Sequence, residues 1–383
     1  MAAPSPTCRT HRAARRWLLR GLLGLAAAGW AARMPRPLVT LGPQMSVSSC
    51  NPKLGVHTRL TDEVEEWKIK RTLAMVREMG ARWVVEYFPW AYCEPEPGRF
   101  SWAHSDHVVA HAARQGLTLI ARLGYPPAWA RPKESPPSYL DSQAYPAFAR
   151  FGAAFVRRYR EHVRHVIVWN EPNLALEWGF RRPSAEQYTA MLRVCYPALK
   201  AESNAATVLA GALAPMPSPL DDPLAQDDLA YLRAMYEAGA APFFDGLAIH
   251  AYGWAYPPED EPAPERVNFR RAELIRQLMV ANGDGRKPCV ITEAGWNDHP
   301  RWTRAVSAPL RLRYTRQAYD YAWRQWDWCQ AVAMWAFRFP WPQRSYQDYF
   351  AFVTPQFGPR PIYDTIRDYA STCSMVGKAT PTL

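Results

Sequence analysis

Val166-Ile167-Val168-Trp169-Asn170-Glu171-Pro172-Asn173 is a β-branched apolar run that ends on a carboxylate and is then stopped by proline. Four to six such residues make a buried strand, and the Glu at its end stands where strand meets loop. A second stretch, Val290-Ile291-Thr292-Glu293-Ala294-Gly295-Trp296, repeats the arrangement. Working outward, comparable runs occur at Leu54–His57, Trp83–Tyr87, Leu117–Arg122, Val208–Gly211, Gly246–His250 and Val332–Phe337, which makes eight with the extended runs Val166–Glu171 and Val290–Glu293. Their starts fall 29 to 49 residues apart, enough each time for a loop, a helix and a return. Segments of helical period lie between them: Val64–Met79, with Trp67, Leu73, Met75 and Met79 expected on one face, then Ala147–Tyr159 and Leu229–Ala238. Gly80, Gly116 and Gly239 are placed to end three helices. Strands alternating with helices imply parallel βαβ units, and eight of them predict an α/β chain folded as a closed (β/α)8 TIM barrel over residues 53–370.

The 383 residues are 48% hydrophobic and 21% charged, which excludes disordered and fibrous classes. A net charge of +11 would raise nucleic acid or an anionic membrane as partner. The distribution argues otherwise. Residues 1–50 hold arginines at 9, 12, 15, 16, 20, 33 and 36 and no acid, so the remainder is almost balanced, with 39 basic and 35 acidic side chains. No nucleic-acid partner is expected, and a membrane only through an uncleaved N-terminal segment.

The Arg15-Arg16-Trp17-Leu18-Leu19-Arg20 stretch ahead of the apolar run Gly21–Ala32 reads residues 1–32 as an export signal or N-terminal anchor, of twin-arginine look. Residues 33–52 read as a linker and 371–383 as a C-terminal tail. Export is the expectation; a true start at Met34 or Met45 would delete the basic segment and leave the protein cytoplasmic. Seven cysteines, at 8, 50, 93, 195, 289, 329 and 373, include no C-x-x-C pair. Most read as small buried hydrophobes, with Cys50–Cys373 as an optional disulfide.

Two glutamates on strands four and seven of one barrel face each other across its mouth. Acetal cleavage needs such a pair: one carboxyl protonates the leaving oxygen while the other attacks the anomeric carbon or activates water. Trp254, Trp296, Trp335 and Trp341, with Tyr125 and Tyr252, follow strand ends and suit the flat apolar face of a sugar. Metal ligation lacks H-E-x-x-H or an equivalent cluster, phosphate loops of G-x-G-x-x-G or G-x-x-x-x-G-K type are absent, and no G-x-S-x-G elbow occurs. No metal and no cofactor is expected.

Asn170-Glu171-Pro172 and Thr292-Glu293-Ala294-Gly295-Trp296, with Phe88-Pro89-Trp90 and Glu94-Pro95-Glu96-Pro97-Gly98, resemble the retaining glycoside hydrolases of clan A, closest in look to family 39 and its relatives. The resemblance implies Glu171 as acid/base, Glu293 as nucleophile and Asn170 as donor to the sugar 2-hydroxyl. It further implies that His250 and Tyr252 line the site, Tyr252 near the nucleophile, and that Trp335 floors the first sugar subsite. Trp296 and His57 are further substrate-binding candidates, and an oligosaccharide or polysaccharide is the implied partner. Many clan members carry an Arg near the end of strand two, where this chain has Val84-Val85-Glu86-Tyr87. Arg122 is the candidate replacement cation, and an inward Glu86 would add a third carboxylate. The alternative function is a carbohydrate-binding barrel that has lost catalysis.

Overall fold

The computed structural model describes residues 39–47, 49–219 and 221–372. The chain divides into Met1–Thr40 and Leu41–Leu383; of the first unit only residues 39 and 40 are described, so the export signal at 1–32 lies outside the described residues, as do residues 373–383 of the C-terminal tail. In the second unit eight strands close into a parallel barrel in sequence order, β8 pairing with β1. They are β1 Leu54–His57, β2 Trp83–Pro89, β3 Thr118–Gly124, β4 Val163–Val168, β5 Thr207–Leu213, β6 Gly246–Tyr252, β7 Cys289–Gly295 and β8 Cys329–Met334. A long helix follows each: α1 Glu66–Glu78, α2 Ala103–Arg114, α3 Tyr145–Tyr159, α4 Ala185–Glu202, α5 Asp228–Glu237, α6 Arg271–Ala281, α7 Ala308–Gln325 and α8 Pro361–Thr372. Gly80, Gly116 and Gly239 follow α1, α2 and α5 at φ of 97°, 65° and 78°, the left-handed conformation that closes a helix at little steric cost.

Alternation along the strands sorts two cores. Val84, Leu119, Val166, Val208, Leu247, Ile291 and Val332 face the helices. Their neighbours Val85, Ile120, Ile167, Leu209, Ala248, Val290 and Ala333 fill the barrel interior as a separate cluster. Continued toward the C-terminal rim, the same period of two aims Arg122 on β3 and both His250 and Tyr252 on β6 into the mouth. It turns Glu86 the other way. That carboxylate is 1% exposed and accepts from Thr58 Oγ1 at 2.5 Å, the Leu60 amide at 2.8 Å and Thr61 Oγ1 at 3.1 Å. Glu86 therefore fastens the loop after β1.

Other expectations are modified. β4 ends at Val168 rather than Glu171, because Trp169 turns to a φ of 75°. Trp67 is 55% exposed: the buried stripe of α1 runs through Ile69, Thr72, Leu73 and Val76 at helical spacing, and Trp67 falls off it. Within the segment read as linker, Met45 N donates to Gln115 Oε1 at 2.9 Å and Gln115 Nε2 donates to Pro43 O at 2.8 Å. Asn51 is fully buried, its Nδ2 donating to Tyr319 O at 3.0 Å and to Tyr369 Oη at 3.1 Å. Cys93, Cys195, Cys289 and Cys329 are free and buried. Cys50 is disulfide-bonded, its Sγ 3.2 Å from Ala370 O near the end of α8; Cys373 lies outside the described residues.

The loops that carry the mouth are tied to helix starts by charge. Arg271, at the start of α6 and 1% exposed, reaches Asp228 Oδ1 through Nη2 at 2.6 Å and Asp227 Oδ2 at 3.0 Å at the start of α5. Its Nη1 holds Pro264 O in the β6 loop at 2.5 Å. Removing one partner of a buried pair strands the other charge, so Arg271→Met should lower the unfolding free energy by about 3–5 kcal/mol in urea denaturation. A loss within 0.5 kcal/mol, the range of surface substitutions, would contradict this account.

Candidate active site

Glu293 reaches the mouth through a register change. Ile249 of β6 pairs with Ile291 of β7, but the next residue, His250, pairs with Glu293, so Thr292 is an extra residue in β7. Ile291 and Ala294 both pack toward the helices, and the extra residue between them turns Glu293 inward. Glu171 arrives differently, at a φ of 37° just beyond β4, with its amide donating to Ala212 O at 2.9 Å. A left-handed conformation is uncommon for a residue with a side chain and persists because its surroundings hold it there.

His250 lies between the two carboxylates. Its Nδ1 is 2.7 Å from Glu171 Oε1, and its Nε2 is 3.5 Å from Arg122 Nη2 and 3.7 Å from Glu293 Oε1. Arg122 Nη1 meets Glu293 Oε1 at 2.7 Å, and Tyr252 Oη donates to Oε2 at 2.7 Å. Burial opposes ionisation of Glu293 but is outweighed by His250, Arg122, His57 and the Tyr252 hydroxyl, which together hold the carboxyl below the ordinary range. The same burial, with Arg122 nearby, pushes His57 well below its usual value.

The mouth opens into a cleft of about 750 Å³, within the range of small-molecule sites. Asn170, His57, Arg122, Trp335 and Tyr125 line it. His57 is 4% exposed, yet among the described residues neither ring nitrogen has a hydrogen-bond partner, and Asn170 Oδ1 is likewise buried and unpaired. Buried polar groups left open at a cleft are suited to a polar ligand. Trp296 does not join them. It is 1% exposed, donates Nε1–H to Tyr256 O at 2.8 Å and packs against Phe269 and Tyr314 beneath the loop, which removes it from ligand contact. Trp254 lies under the Arg304 guanidinium at 3.5 Å, and Trp341 is 77% exposed.

Sequence reading missed two charged residues here. Arg59, at a φ of 53° in the β1 loop, holds its guanidinium 4.3 Å over the Phe339 ring with Nη1 buried and unpaired. Glu177, in the one-turn helix Ala175–Trp178, lines the cleft beside Asn170. Neither follows a strand end, so the pattern that marks Glu171 and Glu293 is silent about them. A groove of about 820 Å³ elsewhere, lined by Trp67, Lys70, Arg71 and Phe357, gathers no comparable set of carboxylates.

Glu171, His250 and Glu293 could offer a cation three ligand atoms within 4.8 Å of one another. Arg122 already occupies Glu293 Oε1, so a metal there would meet a permanent positive charge.

The chain resembles the clan A glycoside hydrolases. Residues 61–174, which include Glu171 but not Glu293, match the β-galactosidase family model of glycoside hydrolase family 42. The β-galactosidase BgaA of a Thermus species is 38% identical over 80 residues, covering 20% of this chain and 11% of that protein. In fold, the chain is similar to a family 39 glycoside hydrolase from the gut symbiont Bacteroides cellulosilyticus WH2, at a TM-score of 0.67 and 20% identity, over 84% of this chain and 64% of that one. A family 39 enzyme from Xanthomonas axonopodis pv. citri gives 0.60 at 14% identity over 87% and 71%. The chain thus spans about a tenth of the length of the curated relative and under two thirds of the first of these structures.

Replacing Arg122 by Met removes the cation that offsets burial at Glu293. Its carboxyl should then titrate at higher pH, its acid dissociation constant falling roughly tenfold or more. Carbon-13 NMR of labelled glutamate measures this directly, and an unchanged titration would show that Arg122 does not set the charge.

Proposed function

We propose that the protein is a glycoside hydrolase that cleaves O-glycosidic bonds with retention, Glu293 acting as nucleophile and Glu171 as acid/base. The observation that carries this reading is the close pairing of the two carboxylates, with one oxygen of each and a His250 nitrogen lying within 4.8 Å of one another. Retaining enzymes hold their carboxyls about 5–5.5 Å apart, whereas inverting ones leave roughly 6.5–9.5 Å for water. Arg122 and Tyr252 favour the ionised Glu293, the form that attacks an anomeric carbon.

In the first step Glu293 forms an ester to the anomeric carbon as Glu171 passes a proton to the departing oxygen. In the second, Glu171 takes a proton from water, whose oxygen displaces Glu293 and returns the sugar with its original configuration. The binding-only alternative drew on the missing Arg of strand two; with a guanidinium from β3 at 2.7 Å from Glu293, that departure gives it no support.

Glu293→Ala should abolish turnover of every aryl glycoside, with azide restoring it and yielding a glycosyl azide of inverted configuration. Glu171→Ala should keep fast release of dinitrophenol while losing about 10²–10⁴-fold on natural linkages, and azide should give the retained product. Identical azide responses in the two variants, or near-normal cleavage of natural substrate by Glu171→Ala, would reverse the assignment.

We also propose export from the cytoplasm. The acid-free arginines ahead of Gly21–Ala32 support it, as does the disulfide at Cys50, since such bonds persist in oxidising compartments. Fractionation should recover mature protein outside the cytoplasm, starting after about residue 28. An intact cytoplasmic N-terminus would overturn the proposal.

A further inference from the structure

Glu177 is a carboxylate of the cleft that forms no ion pair among the described residues. Its backbone is pinned where Trp169 Nε1 donates to Glu177 O at 2.7 Å, and its neighbour Trp178 is buried edge-on against Trp169. That anchorage leaves the Glu177 side chain on the cleft wall with Tyr87, Arg122, Tyr125 and Asn170. Among the described residues it makes no ion pair, and its side-chain partner is the Asn170 amide. Arg122 is the guanidinium that acts on it, but Nη1 of that residue is committed to Glu293 at 2.7 Å. Asn170 in turn keeps a buried Oδ1 with no partner. On this wall Glu177 thus has the Asn170 amide as its hydrogen-bond partner and Asn170 Oδ1 has none, while Arg122 Nε and Arg59 Nη1 are unpaired donors of the same cleft.

A sugar ring supplies what is missing, because each free hydroxyl brings one O–H. We propose that Glu177 is a specificity-determining residue of the cleft, accepting hydrogen bonds from hydroxyls of the sugar seated beside Asn170, and that this selects a neutral glycone with free hydroxyls on that edge. The inference rests on the glycosidase reading. An acidic substituent at the same edge would meet Glu177 and Glu171 together, and like charges that close disfavour binding.

The surroundings of Glu177 also make its charge dependent on pH. Glu171 faces it from its own loop, Tyr87 from β2, Arg122 and Tyr125 from β3, Glu293 from β7, and Arg59 and Asp62 line the same cleft from the β1 loop. Burial first, and then repulsion by Glu171, raise its carboxyl to about 7 against the pull of Arg122 and the Asn170 hydrogen bond. A hydrogen bond to a charged acceptor is the stronger kind, so a ligand that donates to Glu177 binds better as pH rises through that value.

The test uses the full chain, the neutral aryl glycoside it cleaves best and that glycoside deoxygenated one hydroxyl at a time, with Glu177→Gln and Glu177→Ala. Either variant should lose about 10- to 100-fold in kcat/KM, carried mainly by KM. The wild-type KM should fall through a step near pH 7 that Glu177→Gln lacks. For one deoxy analogue the losses from deoxygenation and from the variant should overlap rather than add, as expected when both remove the same contact. Additive losses with every analogue, or an unchanged KM, would overturn the proposal while leaving the glycosidase reading intact. Should the wild type release no aglycone from any glycoside, that reading fails by itself. Calorimetric binding of the same glycosides then decides Glu177, and equal affinity for wild type and Glu177→Ala, or no binding at all, overturns its role.

Discussion

A closed barrel of parallel strands gives each residue two destinations, the interior or the helix layer, and the alternation between them governs this molecule up to its rim. The interior packs Val85, Ile120, Ile167, Leu209, Ala248 and Val290 into one cluster. Above that plug the inward positions become Arg122, His250 and Tyr252, so core and mouth are consecutive layers of one pattern. Glu86 shows the constraint from its other side. One residue away from an inward position, it faces outward and holds the β1 loop through Thr58, Leu60 and Thr61. Adding a cation to β2 would not reach the mouth from that position, whereas Arg122 on β3 does.

The two central carboxylates both break the alternation they depend on. Strict alternation from Val290 would send Thr292 inward and Glu293 to the helices; the extra residue in β7 reverses that. At β4 the chain leaves extended geometry at Trp169, whose ring goes to the helix-side core beside Phe148 and Trp178. Glu171 then arrives at the rim in a left-handed turn. Rigid strands on both sides of each departure keep the displaced residue in place, which combines local irregularity with fixed geometry.

This explains what sequence reading reached. All eight strands were legible, with β1 found at its bounds, since apolar β-branched runs at regular intervals have few other uses. The two strand-end glutamates were legible for the same reason. The bulge was not, because Ile291-Thr292-Glu293 carries no glycine or proline to mark it. Trp296 could not be sorted from Trp335 by type: both follow a strand, but one donates its indole N–H inward to Tyr256 O while the other lines the cleft. Glu177 sits in the one-turn helix Ala175–Trp178 beyond β4, where side-chain direction follows from the Trp169 and Trp178 anchorage rather than from any strand period.

The charges of the mouth form one system. Three carboxylates, Glu171, Glu177 and Glu293, share influence from Arg122, but a guanidinium makes its strongest contact with one partner at a time. At 2.7 Å that partner is Glu293, which also receives the Tyr252 hydroxyl. Glu171 is left with the imidazole of His250, and Glu177 with the amide of Asn170. Similar acids within one cleft are thereby given a cation, an imidazole and an amide as their respective partners. Environments this different separate like groups: the Glu293 carboxyl is held below the ordinary range while that of Glu177 is raised to about 7. The placement of one guanidinium on β3, against Glu293 rather than either of the other acids, thus sets the charge order of the mouth.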